Sequence, residues 1–217
     1  MNDLMVVLDI QHGWKGSWYD PGAMCDQNSD GVIEEWEHEH SLSAAYAEYA
    51  RMACAGFGLR CAIVPDEMRA SNYADGMQWA NRLAQDHRGP AAFVACHLNS
   101  VLGDPPKRGI VGYYSASPRS RLLAQCLTQP LKQYVPDLVE ETAEIPVDPQ
   151  ADERYRRSMH YTIREVGKEV PGMAAVCYEP AFIQHLRGDR AAADRHCRRI
   201  GLALARGLLT YTTHGRV

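Results

Sequence analysis

The sequence predicts an α/β fold: a single domain with a mostly parallel, twisted sheet of about six strands and helices on both faces. Three apolar runs that each end on a polar residue carry this reading. They are Leu4-Met5-Val6-Val7-Leu8-Asp9-Ile10-Gln11-His12-Gly13, Ala91-Ala92-Phe93-Val94-Ala95-Cys96-His97-Leu98-Asn99 and Ala174-Ala175-Val176-Cys177-Tyr178-Glu179. Runs that are apolar throughout, rather than alternating, belong to strands covered on both faces. Segments of helical periodicity separate them, which is the order of a parallel sheet with crossover helices.

The elements follow in chain order. After the first strand, Trp14 to Cys25 is rich in Gly, aromatics and Pro21 and reads as a loop over the strand tip. Leu42, Ala45, Tyr46, Tyr49, Ala50 and Ala53 recur at three- and four-residue spacing, an amphipathic helix that stops near Gly56 and Gly58. Leu59 to Val64 is a short strand closed by Pro65, and Ala74 to Gln85 a second helix. Beyond the His97 strand, Val101 to Lys107 is a Gly/Pro loop, Gly109 to Tyr114 a strand and Ser117 to Tyr134 a helix. Val135 to Gln150, with three prolines and several acids, reads as a long excursion without regular structure. Tyr155 to Val166 mixes helix and strand character, and Asp189 to Leu209 closes the chain as a helix.

At 217 residues and 46% hydrophobic, the chain supports one sizeable core, and residues 1–217 are expected to form one domain. A net charge of -4 argues against a general nucleic-acid footprint. No stretch approaches the roughly 18 apolar residues of a membrane span, so no stable membrane insertion is expected. No basic region precedes an apolar leader, so the chain is expected to be made in the cytoplasm. Seven cysteines without a C-x-x-C fit reduced thiols, mostly acting as small buried hydrophobes. The protein is expected to be a monomer.

In open α/β sheets the functional crevice lies beyond the carboxyl ends of the strands. His12, His97 and Glu179 all stand at such ends. Catalytic zinc takes three protein ligands and leaves a fourth position for water. His12 and His97 supply two, and Glu35, His38, Glu39 and His40 are candidates for the third. His38 and His40, two apart on a helix, point about 200° from each other and cannot share one ion. Glu35 and Glu39 share a helical face, and spacing alone does not choose between them. Glu179 then acts as general base beside the metal rather than as a ligand. Singly, each of these residues is more often structural, the glutamate as half of an ion pair. Their convergence at three strand ends favours chemistry.

These same residues resemble the zinc-dependent N-acetylmuramoyl-L-alanine amidases of the amidase type 3 family. Leu8-Asp9-Ile10-Gln11-His12-Gly13 looks like that family's opening strand and His-Gly, which gives His12 the role of first ligand. Asp30-Gly31-Val32-Ile33-Glu34-Glu35-Trp36 is similar in register to the stretch before the family's glutamate ligand, which favours Glu35. His97-Leu98-Asn99 resembles the second histidine followed by x-Asn, with Asn99 expected to meet substrate, and Trp79-Ala80-Asn81-Arg82 resembles the helix upstream. Pro171 to Phe182 resembles the segment of the catalytic glutamate, here Glu179. The likeness runs through nearly the whole chain, although Ile10-Gln11 stands where Pro-Gly is usual and the arginine before Ala80-Asn81 is out of place. The resemblance implies hydrolysis of the amide between N-acetylmuramic acid and L-alanine in peptidoglycan, in the manner of a phage endolysin that reaches the wall after membrane permeabilisation. A different zinc peptidase of the stem peptide and a non-catalytic, calcium-dependent wall-binding protein are the alternatives.

A second ion is expected in residues 26–37. Asp26-x-Asn28-x-Asp30-Gly31-x-Ile33-x-x-x-Glu37 carries oxygen ligands at positions one, three, five and twelve of an EF-hand loop, with Val32 contributing its carbonyl. The competing reading is a polar turn leading into a capped helix. Trp14, Trp18 and Tyr19 follow the first ligand closely and are placed to stack on a sugar or peptide, or simply to pack. Arg187, Arg190, Arg195, Arg198, Arg199 and Arg206 make the last helix basic, usually a solvated face and otherwise one that touches anionic wall polymers or an outer membrane.

Overall fold

A computed structural model describes residues 3–15, 17–69, 73–147, 162, 163, 165, 166 and 172–214. The first strand, β1 (Met5–Ile10), leads into a hairpin of β2 (Gly13–Lys15) and β3 (Trp18–Asp20). After a single 3-10 turn at Glu35–Glu37 comes α1 (Glu39–Gly56), then β4 (Arg60–Ile63), α2 (Tyr73–His87), β5 (Ala91–Cys96) and β6 (Arg108–Tyr114). The chain continues through α3 (Pro118–Thr128), α4 (Leu131–Tyr134), β7 (Glu141–Val147) and β8 (Ala174–Glu179) to α5 (Arg190–His214). The expected mixed segment from Tyr155 to Val166 lies mostly outside the described residues.

Six strands form one sheet in the order β4-β1-β5-β8-β6-β7. All neighbours are parallel except β6 and β8. Alternation splits the buried strand residues between two cores. Val6, Leu8 and Ile10, with Ala92, Val94 and Cys96, face α1, α3 and α5, while Val7, Phe93 and Ala95 face α2. Helices on both faces explain why β5 is apolar at every position and β1 at every position but Asp9. Where α5 crosses α1, a β-carbon on Gly201 would lie 2.6 Å from the Tyr46 carbonyl oxygen, so only glycine lets the two backbones approach this closely.

Two expectations are corrected. The helix from Ser117 to Tyr134 is two helices, because Pro130 lacks the N–H that would continue the first. The supposed excursion after Val135 contains β7, an edge strand parallel to β6. Its residues are mostly exposed or half-buried, so it lacks the apolar signal of a central strand, and an edge tolerates Pro146. The loop after His12 likewise contains the short antiparallel hairpin. Among the described residues no helix is long and apolar enough to cross a membrane.

Candidate metal centre

Strand register brings the site together. Ile10 pairs with Cys96 and Cys96 with Tyr178, so the three apolar runs end side by side. The His97 N–H continues the ladder by donating to the Tyr178 carbonyl at 3.0 Å. One step further, His12 and His97 meet edge to face with ring centroids 5.0 Å apart. Buried Tyr46 of α1 donates to the His97 carbonyl at 3.0 Å and ties this strand end to the helix layer.

The carboxylate that joins the two imidazoles is Glu39. Its Oε1 lies 3.2 Å from His12 Nε2 and 3.0 Å from His97 Nδ1. Backbone amides hold the group in place: Leu98 N–H donates to Oε1 at 3.0 Å and Ala23 N–H to Oε2 at 2.9 Å. Among the described residues, His12, Glu39 and His97 are the group whose ligand atoms lie close enough to hold one metal ion, all within 4.8 Å of one another. Tetrahedral zinc, with bonds of about 2.0–2.2 Å, separates its donors by about 3.4 Å, within a few tenths of an ångström of these contacts. The donor set therefore fits zinc. Glu39 and His97 are buried, while the His12 side chain keeps 18% exposure, so the cluster reaches solvent on that side.

Glu35 does not reach the imidazoles and lies exposed in the turn before α1. The expectation that favoured it assumed one continuous helix. His38 breaks that helix with an extended backbone (ψ 145°), and α1 starts at Glu39, so the two glutamates do not share a face. Glu39 precedes Leu42 by three residues and Tyr46 by seven, on the buried side of α1. His40 is used differently again: its Nδ1–H donates to the His12 carbonyl at 2.9 Å.

Outer partners point the imidazoles inward. His12 Nδ1 lies 3.0 Å from Asp20 Oδ2, and the other Asp20 oxygen accepts the Gly22 N–H at 3.0 Å. With Nδ1 donating to Asp20, Nε2 is the nitrogen that faces Glu39, hydrogen-bonding it in the metal-free site and able to give its lone pair to an ion there. Gly22 (φ +69°) makes room, since a β-carbon there would stand 2.7 Å from Glu39 Oε2 and 2.8 Å from His12 Cδ2. Neither Asp20 nor Gly22 stood out in the sequence, where they are loop residues like their neighbours.

Electrostatics matches this geometry. Burial opposes the charge on Glu39, yet hydrogen bonds and charge from His12 and His97 hold its carboxyl well below the usual carboxylate range. Burial also opposes protonation of His12, but Glu39 and Asp20 outweigh it and raise its pKa. Glu179, at the tip of β8 beside His97, is pushed the other way. Burial, then the negative charge of Glu39, raises its pKa to about 7. Near neutrality Glu39 thus stays ionised while Glu179 is poised between its two forms, an arrangement typical of acid–base chemistry.

Asn99 is half-buried on the same rim; its backbone exchanges hydrogen bonds with Ala181 and Ile183, and its Oδ1 accepts the Ser100 N–H at 2.8 Å. Trp14 and Trp18 of the hairpin are each 58% exposed, and Trp14 lies against Tyr19 with ring centroids 5.4 Å apart.

The calcium expectation is not supported. Glu37, the twelfth residue of the loop, is fully buried and spends its oxygens on backbone amides: Oε1 accepts Gln27 N–H at 2.6 Å and Oε2 accepts Glu34 N–H at 2.7 Å. Asp26 accepts the Gly31 N–H, Asp30 the Val32 N–H, and Asn28 turns its NH2 donor toward Asp30. The loop has the sharp turn its glycine predicts, with φ +88° at Gly31, but closes it with its own hydrogen bonds. The acids that match the cation loop in sequence serve as the polar turn and helix entry of the competing reading. In α5, Arg199 is structural, bonding Asp137 and the Tyr134 carbonyl.

No protein-family model matches the sequence, and no curated protein matches it. Solved structures do match the fold. The chain is similar to the N-acetylmuramoyl-L-alanine amidase AmiC2 of Nostoc punctiforme, with 19% identity, TM-score 0.60 and 97% of this chain and 98% of that chain covered. It is similar to the CwlD amidase of Clostridioides difficile, solved with the GerS lipoprotein, at 17% identity, TM-score 0.65 and the same coverage. It is also similar to the catalytic domain of the CD27L endolysin targeting Clostridia difficile, at 15% identity and TM-score 0.58 over 95% of this chain and 97% of that one. Over nearly its whole length, the chain has the fold of these amidase structures.

Proposed function

We propose that this protein is a zinc-dependent peptidoglycan hydrolase that cleaves the amide between N-acetylmuramic acid and L-alanine, with an endolysin-like lytic role. The observation that carries the reading is the meeting of His12, Glu39 and His97 on one carboxylate oxygen, with Glu179 at the adjacent strand tip. The shared fold supports the choice of bond, because the structures it matches are named as N-acetylmuramoyl-L-alanine amidases, and the endolysin among them supports the lytic role.

His12, Glu39 and His97 would hold the ion. When bound, zinc supplies Lewis acidity, activating water near neutral pH and polarising the scissile carbonyl. Glu179 takes the proton from the attacking water at its carboxylate and returns it to the leaving nitrogen of L-alanine. Its raised pKa suits both halves of that cycle. Asp20 keeps the His12 ring oriented, and Asn99 is assigned to holding the substrate at the rim.

Digestion of purified peptidoglycan by the zinc-loaded protein, followed by identification of the new ends, tests the reading. New N-terminal L-alanine with free muramic lactyl carboxylate is expected. New ends within the stem peptide would instead identify a peptidase on the same scaffold.

A further inference from the structure

We propose that Gln11, itself held by Asp9, fixes the tautomer of His97 and so presents Nδ1 of that ring to the metal. The proposal rests on the zinc reading above and concerns residues outside its ligand set. Gln11, Asp9 and His97 are all buried, so each polar atom there must be matched by a partner.

The geometry follows from the ladder. Because Ile10 pairs with Cys96, Gln11 lies level with His97 across the β1–β5 step. Residues two apart on a strand share a face, which sets Asp9 beside Gln11. Gln11 Nε2–H donates to Asp9 Oδ2 at 3.2 Å, and Gln11 Oε1 lies 3.1 Å from His97 Nε2. An aspartate carboxylate accepts, so the NH2 end of the amide faces Asp9 and its oxygen faces His97. An amide oxygen only accepts, so His97 Nε2 carries the ring proton. Nδ1 shares a hydrogen bond with Glu39 Oε1 at 3.0 Å, and once a metal ion takes its place Nε2–H, held on Gln11, is the ring's one donor.

The backbone at Gln11 is pinned as well, because buried Lys15 donates to its carbonyl oxygen at 2.6 Å. A reversed amide would set NH2 against a ring N–H and oxygen against a carboxylate, leaving two buried mismatches of about 1–3 kcal/mol each. Gln11 occupies a position where the resemblance expects glycine, which has no side chain to offer. The orienting amide is thus a feature of this chain's own sequence. Partners that orient a ligating histidine are worth about 10–100-fold in metal affinity.

Two measurements on purified protein test this. Zinc affinity is measured by competition with a chelator in the parent, Gln11→Leu and Asp9→Asn. The His97 ring is read in the zinc-loaded proteins from its imidazole 15N shifts and from exchange of its Nε2–H with solvent. The parent is expected to coordinate through Nδ1 and to protect the Nε2–H. Gln11→Leu is expected to lose that protection and bind zinc about 10–100-fold more weakly. Asp9→Asn, which permits the amide to reverse, is expected to shift both readouts in the same direction by less. It also provides the test should Gln11→Leu fail to fold. A folded variant with the parent's Nε2–H protection and zinc affinity overturns the proposal. A parent that binds no zinc overturns the metal reading instead, whereas a parent that binds zinc no better than Gln11→Leu overturns only the role of Gln11.

Discussion

His97 and Glu179 leave neighbouring parallel strands one residue beyond the same register pair, Cys96 with Tyr178, yet the electrostatics of the site treats them differently. His97 is committed to Glu39 through Nδ1, whereas Glu179 feels Glu39 as a repelling charge. One register pair thus places the proposed metal donor and the proposed proton carrier a strand spacing apart, about 4.8 Å.

The pKa of Glu179 has two measurable consequences. In metal-free protein the folded state binds this proton more tightly than the unfolded state, in which the carboxyl titrates near 4.5. Stability from this group is therefore complete below pH 4.5, falls as pH rises from there to about 7 and stays reduced above. Glu179→Gln is expected to stabilise the metal-free protein by about 1–3 kcal/mol at pH 8 and to change little at pH 4, as followed by urea unfolding. In the zinc-loaded enzyme the same variant is expected to retain zinc and lose about 10²–10⁴-fold in kcat. Because the metal offsets the charge of Glu39, the acid limb of the parent's pH–rate profile is expected at or below pH 7. Full activity in Glu179→Gln would remove it from the mechanism.

Glu39 and Glu35 provide the sharpest contrast in metal content. Glu39→Ala is expected to abolish stoichiometric zinc binding, since it removes one of three donors and leaves two facing imidazoles. Glu35→Ala, on an exposed turn, is expected to bind zinc as the parent does and to change stability by less than about 0.5 kcal/mol. Zinc content after dialysis distinguishes them, and the reverse result would restore Glu35 as the ligand.

Most of the sheet was legible because β1, β5 and β8 are apolar at almost every position, and the two histidines and Glu179 could be placed by the ends of those runs. The candidate ligand on α1, Glu39, was not. Choosing between Glu35 and Glu39 depends on where the helix starts, and the break is made by the backbone of His38, for which the sequence has no Pro or Gly signal. The calcium pattern lacks support in the structure for a related reason. Acids at cation-loop spacing suit a hydrogen-bonded turn equally well, and the pattern does not say which way Glu37 points. Edge strand β7 was hidden because an edge need not be apolar.

Glu37 bears directly on that ambiguity. Its buried carboxylate accepts N–H groups from Gln27, Asn28 and Glu34, closing residues 27–37 onto the entry to α1. Glu37→Ala would strand those donors and is expected to cost about 3 kcal/mol or more. The loss is expected to be the same with chelator as with added calcium. A parent whose melting temperature rises with calcium, and a variant that has lost this response, would reinstate the cation.

Gly22 and Gly31 allow backbone strain to be separated from crowding at the metal centre. Both have positive φ, +69° and +88°, so alanine at either position pays a similar conformational penalty of about 1 kcal/mol. Around Gly31 nothing lies within 4 Å of an added β-carbon, whereas at Gly22 it meets Glu39 Oε2 and His12 Cδ2 inside 3 Å. The Ala23 and Leu98 amides pin Glu39, so it relieves that contact only by breaking a hydrogen bond or shifting against the imidazoles. Gly31→Ala is therefore expected to lower stability modestly and leave zinc affinity intact. Gly22→Ala is expected to weaken zinc binding at least 10-fold in a chelator competition, beyond any loss of stability it shares with Gly31→Ala. Equal zinc affinities in the two variants would mean that Glu39 and His12 yield freely, and that the close approach at Gly22 does not position the ligands.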